Sequence, residues 1–119
     1  MQKLLSAALV AAAFALPVAA QDHSNHAGHG AGANAPSTKA YLDANATMHK
    51  GMDIEFSGDA DVDFVRGMIA HHQGAIDMAK VQLEYGKDAA IRTLSAEIIK
   101  AQEGEIAMMR DWLAKRGLK

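Results

Sequence analysis

Apolar residues recur every three or four positions through most of the chain beyond residue 36, and no stretch alternates over a strand's length. This spacing predicts helices, three in number. The first runs from about Ser37 to Phe56, with Tyr41, Met48, Met52 and Phe56 on its apolar stripe and Asn45 in the same row. Ser57-Gly58-Asp59 ends it, and Asp59 and Asp61 offer N-caps for the next helix. The second runs from about Asp63 to Tyr85, where Val65, Met68, Ile69, His72, Ile76, Ala79 and Leu83 keep the i, i+3, i+4 rule. Gly86 follows as its predicted C′ residue. Asp88 caps a third helix that reaches about Arg116, its inward stripe including Ile91, Leu94, Ile98, Ile99, Gln102, Ile106, Met109, Trp112 and Leu113. The short link between the last two helices predicts an antiparallel hairpin. The expected fold is an all-α, small antiparallel bundle of three main helices over residues 37–117.

The N-terminus has a different pattern. Lys3 precedes an uncharged apolar run from Leu4 to Leu16, followed by Pro17-Val18-Ala19-Ala20. A positive start, a short apolar segment and small residues at the −3 and −1 positions describe a secretory signal peptide over residues 1–20, too short to span a bilayer. The expectation is an exported, periplasmic protein cleaved near Ala20, with no membrane span in the mature chain. Residues 21–36, rich in Gly, Ala, Asn, Ser and His, have no apolar periodicity and are expected to be a disordered tail. Within it His23, His26 and His29 repeat every third position, a possible metal-capturing tract or an incidental feature of a Gly/Ala linker.

Composition narrows the chemistry. The formal charge of −2 becomes −3 when Lys3 leaves with the leader, which provides no footprint for nucleic acid. There is no cysteine, so neither a disulfide nor a thiolate ligand is available. No Glu-x-x-His pair of the di-iron type, Gly-rich phosphate loop or Ser/His/Asp set of recognisable spacing occurs, and no enzymatic activity is expected.

The segment Met68-Ile69-Ala70-His71-His72-Gln73-Gly74-Ala75-Ile76-Asp77-Met78 concentrates what remains. Residues three and four apart are neighbours on a helix, so Met68 lies beside His71 and His72, and Met78 shares a row with His71. His72 falls in the inward row of Ile69 and Ile76. Thioether and imidazole together suit a soft ion such as Cu(I). The plainer alternative is a methionine-containing core with a satisfied histidine. Met48-His49 and Met52 repeat the pairing on the first helix, and Met108-Met109 lie on the third. Gln102, in a core row, is placed to hydrogen-bond His71 or His72 and fix the ring's tautomer, with Glu105 beside it as a supporting acceptor at the buried edge. Asp59, Asp61 and Asp63 begin like a calcium loop, but Phe64 and Ala70 stand where that loop needs Gly and Glu, and helix capping explains the acids better.

The runs Ser57-Gly58-Asp59-Ala60-Asp61-Val62-Asp63-Phe64, Met68 to Ala79, Tyr85-Gly86-Lys87-Asp88, and Ile98-Ile99-x-x-Gln102-x-x-Glu105-Ile106-x-x-Met109 resemble the DUF305 family. The likeness covers about Met48 to Trp112 and is most specific at His71-His72-Gln73-Gly74-Ala75. It implies a ferritin-like helical, exported protein similar to periplasmic copper-binding proteins of the copper-resistance type, which take Cu(I) and Ag(I) through Met and His. It carries over Met48, Met52, Met68, His71, His72, Met78 and Met109. Ala70 stands where relatives commonly have Pro, a change that leaves the ligands in place. The functional expectation is a soft-metal protein for copper sequestration, tolerance or transfer, with a homo-oligomer or a periplasmic copper-handling protein as possible partners. The alternative is a metal-free helical interaction module that presents a Met-rich face to a partner helix.

Overall fold

The computed structural model describes residues 32–119. The expected leader and the histidines His23, His26 and His29 lie outside the described residues. Three helices follow one another: α1 (Pro36–Met52), α2 (Ala60–Tyr85) and α3 (Ala89–Ala114). No strand occurs among the described residues, and no helix there is long and apolar enough to cross a membrane. Both α1 and α3 pack on α2 and not on each other, so the middle helix holds the bundle together.

Each helix starts where a local device satisfies its first N–H groups. Pro36 occupies the first turn of α1, where its missing N–H costs nothing, so the helix begins at the last residue of the expected tail. The Asp59 carboxylate accepts from the N–H groups of Asp61 and Val62, which brings the start of α2 three residues ahead of the expected Asp63. Asp88 caps α3 through the N–H of Ile91 at 3.0 Å, as its sequence position predicts.

The first helix stops four residues earlier than its stripe predicts. After Met52 the N–H of Ile54 turns back to the Met52 carbonyl at 2.9 Å. Asp63 then draws the chain away from the helical path by accepting from the N–H and Oγ of Ser57 and the N–H of Gly58. Gly58 takes a φ of 87°, which its lack of a Cβ permits. Phe56, expected on the apolar stripe, is 76% exposed. Ile91 and Leu94, expected inward on α3, are also exposed.

Gly86 departs from its expected role as well. It is not left-handed, having φ −80° and ψ 148°. A side chain there would run into Gln82, whose carbonyl would lie 2.6 Å from the added Cβ. The carbonyls at the end of α2 are satisfied from α3: Arg92 Nη1 donates to Leu83 O at 2.6 Å and to Gly86 O at 3.0 Å.

The two interfaces of α2 differ in kind. Towards α3 it presents large residues, and Ile76, Ile106 and Met109 form the buried centre with Val65, Met68, Ile69 and Ile99 packed around it. Towards α1 it presents small ones. A Cβ on Gly74 would meet Met48 Cγ and Sδ at 2.5 Å, and one on Gly51 would meet Ala70 Cβ at 3.0 Å. Because Met48 faces Gly74 while Gly51 faces Ala70, α1 and α2 are antiparallel. The pairs Gln82–Ser95 and His72–Glu105 fix the same sense for α2 and α3.

Candidate functional site

The α2–α3 interface opens into a groove of about 370 Å³. Val65, Met68 and His72 line it from α2, with Glu105, Met109 and Trp112 from α3. Phe64 and Met108, both largely exposed, stand at its margin. Spacing explains this convergence. Val65, Met68 and His72 are three and four apart, as are Glu105, Met109 and Trp112, so each helix turns one stripe to the other.

His72 is the polar centre of the groove. It is 9% exposed, and its Nε2 lies 2.5 Å from Glu105 Oε2. Its Nδ1 is buried and has no hydrogen-bond partner. Gln102 Oε1, one turn before Glu105 on α3, is likewise buried and unpartnered. Glu105 therefore touches His72 as its position predicts, whereas Gln102 does not make the hydrogen bond to His71 or His72 that its row suggests.

The remaining expected ligands are distributed over other faces. His71 is exposed, with its ring centroid 6.0 Å from that of His72 and the two planes inclined by 62°. Met48 packs on Gly74, two residues beyond His72 and so about 200° around the helix from it. Met78 lines a separate groove with Tyr41, Gln82 and Ser95. Met52 is the exposed last residue of α1. The structure thus brings together Met68, His72 and Met109 from the expected set and adds Met108, Trp112 and Phe64 to their surroundings. The doubled Met108-Met109 was the sequence signal for Met108. Trp112 also carries Arg116, whose guanidinium carbon stacks 3.6 Å from the ring centroid.

The donor set limits the chemistry. Among the described residues no three His, Asp or Glu side chains converge. The carboxylates of Asp59 and Asp63 are engaged in the capping and turn bonds already described. What converges in the groove is the thioethers of Met68 and Met109 and the His72 imidazole, neutral ligands of soft monovalent ions, with the single carboxylate of Glu105 held against the ring. The unpartnered Nδ1 provides the orphaned donor atom such an ion requires.

A family model described as "Domain of unknown function (DUF305)" matches residues 7–113. The chain belongs to that family. A stretch of 58 residues is 40% identical to the uncharacterized protein L153 of Acanthamoeba polyphaga mimivirus, covering 49% of this chain and 38% of that relative. The chain therefore aligns with well under two thirds of that relative's length.

Proposed function

We propose that this DUF305 protein binds a soft monovalent ion, Cu(I) or Ag(I), in the α2–α3 groove, and serves in copper sequestration, tolerance or transfer after export to the periplasm. The observation that carries the reading is the buried His72 Nδ1 without a partner, in a groove shared with Met68 and Met109. A buried polar atom left unsatisfied is costly, and a metal ion is a partner that satisfies a bare imidazole nitrogen. Thioethers beside it select a soft ion over zinc or calcium. Met108, at the margin of the groove, would receive the ion before it reaches His72. The His23/His26/His29 tract adds a capture site for the ion on the chain preceding the helices. The role is one of binding and holding, without turnover.

Titration of the full chain with Cu(I) against a competing chelator tests this. The wild type should bind at least tenfold more tightly than a Met68→Leu/His72→Leu/Met109→Leu variant, whose replacements are of similar volume. Equal affinity of the two proteins would sink the reading.

A second reading is supported by the exposed Phe64 and Met108 at the margin of the groove. A metal-free interaction module would use them to seat a partner helix. Replacing Met68, Met108 and Met109 together by Leu separates the two readings. Partner binding survives such a swap, whereas soft-metal affinity does not.

A further inference from the structure

The contact between His72 and Glu105 fixes more than the position of the ring. A carboxylate can only accept hydrogen bonds, so the 2.5 Å approach of Glu105 Oε2 to His72 Nε2 requires the hydrogen to be on Nε2. A neutral imidazole carries a single N–H, which leaves Nδ1 with a bare lone pair. A hydrogen on Nδ1 as well would create a buried donor with no acceptor, since nothing hydrogen-bonds that atom. Gln102 Oε1 is also a buried acceptor without a donor, one turn from Glu105. Two buried acceptors at this interface, His72 Nδ1 and Gln102 Oε1, thus stand without a donor or a cation.

The two nitrogens also differ in reach. Nε2 is the distal atom of the ring and extends across to α3. Nδ1, bonded to Cγ, stays beside α2. Side chains on a helix lean towards its N-terminus, so the ring of His72 leans over the turn that carries Met68. Met68 and His72 line the same groove.

We propose that Glu105 is a positioning residue that holds His72 in its Nε2–H tautomer, so that Nδ1 is the nitrogen that ligates the soft ion, with the Met68 thioether from the preceding turn. The inference rests on the soft-ion reading above and specifies which atom does the binding. Carboxylate partners of ligating histidines typically change metal affinity 10–100-fold when removed.

Long-range proton–nitrogen correlation spectra of the full chain test it, first metal-free with the ring neutral, then with Ag(I), which is diamagnetic. In the metal-free wild type, His72 should show a protonated Nε2 and a pyridine-like Nδ1. Ag(I) should shift Nδ1 and leave the Nε2 hydrogen in place. Glu105→Ala should give a mixture of tautomers and bind Ag(I) roughly 10–100-fold more weakly. Glu105→Gln, which keeps an acceptor oxygen, should restore the tautomer and most of the affinity. A purely structural role for Glu105 would leave the tautomer unmoved in Glu105→Ala. A metal-free wild type with the hydrogen on Nδ1, or an Ag(I) shift confined to Nε2, overturns the inference and spares the soft-ion reading. Ag(I) that moves neither nitrogen overturns ligation by His72 altogether, while the tautomer assignment stands.

Discussion

Asp63 organises the turn between α1 and α2 from a single carboxylate. It accepts from Ser57 N at 2.8 Å, Ser57 Oγ at 2.7 Å and Gly58 N at 3.1 Å. These donors favour the charged form, the Ser57 N–H foremost, and hold its carboxyl below the ordinary value of 3.8. A carboxylate whose folded pKa is depressed contributes stability above the unfolded value and loses it as pH falls through the folded one. Asp63→Asn should therefore melt at a lower temperature than the wild type at neutral pH. The gap should narrow steadily once the pH drops below the ordinary carboxylate range. Thermal melts of both proteins across that range check it, and a gap that stays constant to low pH would show that the charge is not responsible. The same residue illustrates a limit of local reading. The stripe Tyr41-Met48-Met52-Phe56 extends a helix through Phe56, but the donors of Ser57 and Gly58 are taken by the Asp63 side chain further along the chain.

At the scale of elements, the two faces of α2 made themselves known unequally. Val65, Met68, Ile69, His72 and Ile76 advertise the α3 interface because large apolar side chains carry a strong periodic signal. Ala70 and Gly74 mark the other stripe, yet small residues carry little hydropathy. Their meaning appears only when Met48 is seen lying on Gly74. This is also why the expected ligand set is spread over more than one face. Helical spacing identifies which residues share a row, but not which row faces which neighbour. Met48 and Met78 thus separate from Met68, His72 and Met109. Gly74→Ala should be destabilising by roughly 1–2 kcal/mol, the overpacking against Met48 exceeding the gain in helix propensity. The cost should shrink in a Met48→Ala background, where Cγ and Sδ are gone and only the Cβ at 2.7 Å remains; an identical cost in both backgrounds would rule out the outer part of the Met48 side chain as the cause. Gly104, on α3, has nothing within 4 Å of an added Cβ. Gly104→Ala should raise stability by about 0.5–1 kcal/mol, seen as a higher denaturation midpoint with an unchanged slope.

For the whole molecule, the question is what a buried imidazole with one unsatisfied nitrogen contributes. In the metal-free fold it opposes stability, because Nδ1 has given up water without a replacement partner. Glu105, half-exposed, can return to solvent if His72 is removed. His72→Leu should therefore be no less stable than the wild type without metal, to within about 1 kcal/mol. With Ag(I) the order should reverse. An ion that binds the folded groove and not the unfolded chain stabilises by about 2.7 kcal/mol at one hundred times its dissociation constant. For a domain of this size that is a rise in Tm on the order of 10 °C or more. The variant should rise far less. Ions held by His23, His26 and His29 do not confuse the comparison if that tract binds them equally well whether the helices are folded or not, since binding that is equal in the two states leaves Tm where it was. The linkage thus isolates the pre-assembled groove from any histidine that merely captures metal. Equal shifts in the wild type and His72→Leu would mean that the stabilising ion sits elsewhere on the bundle.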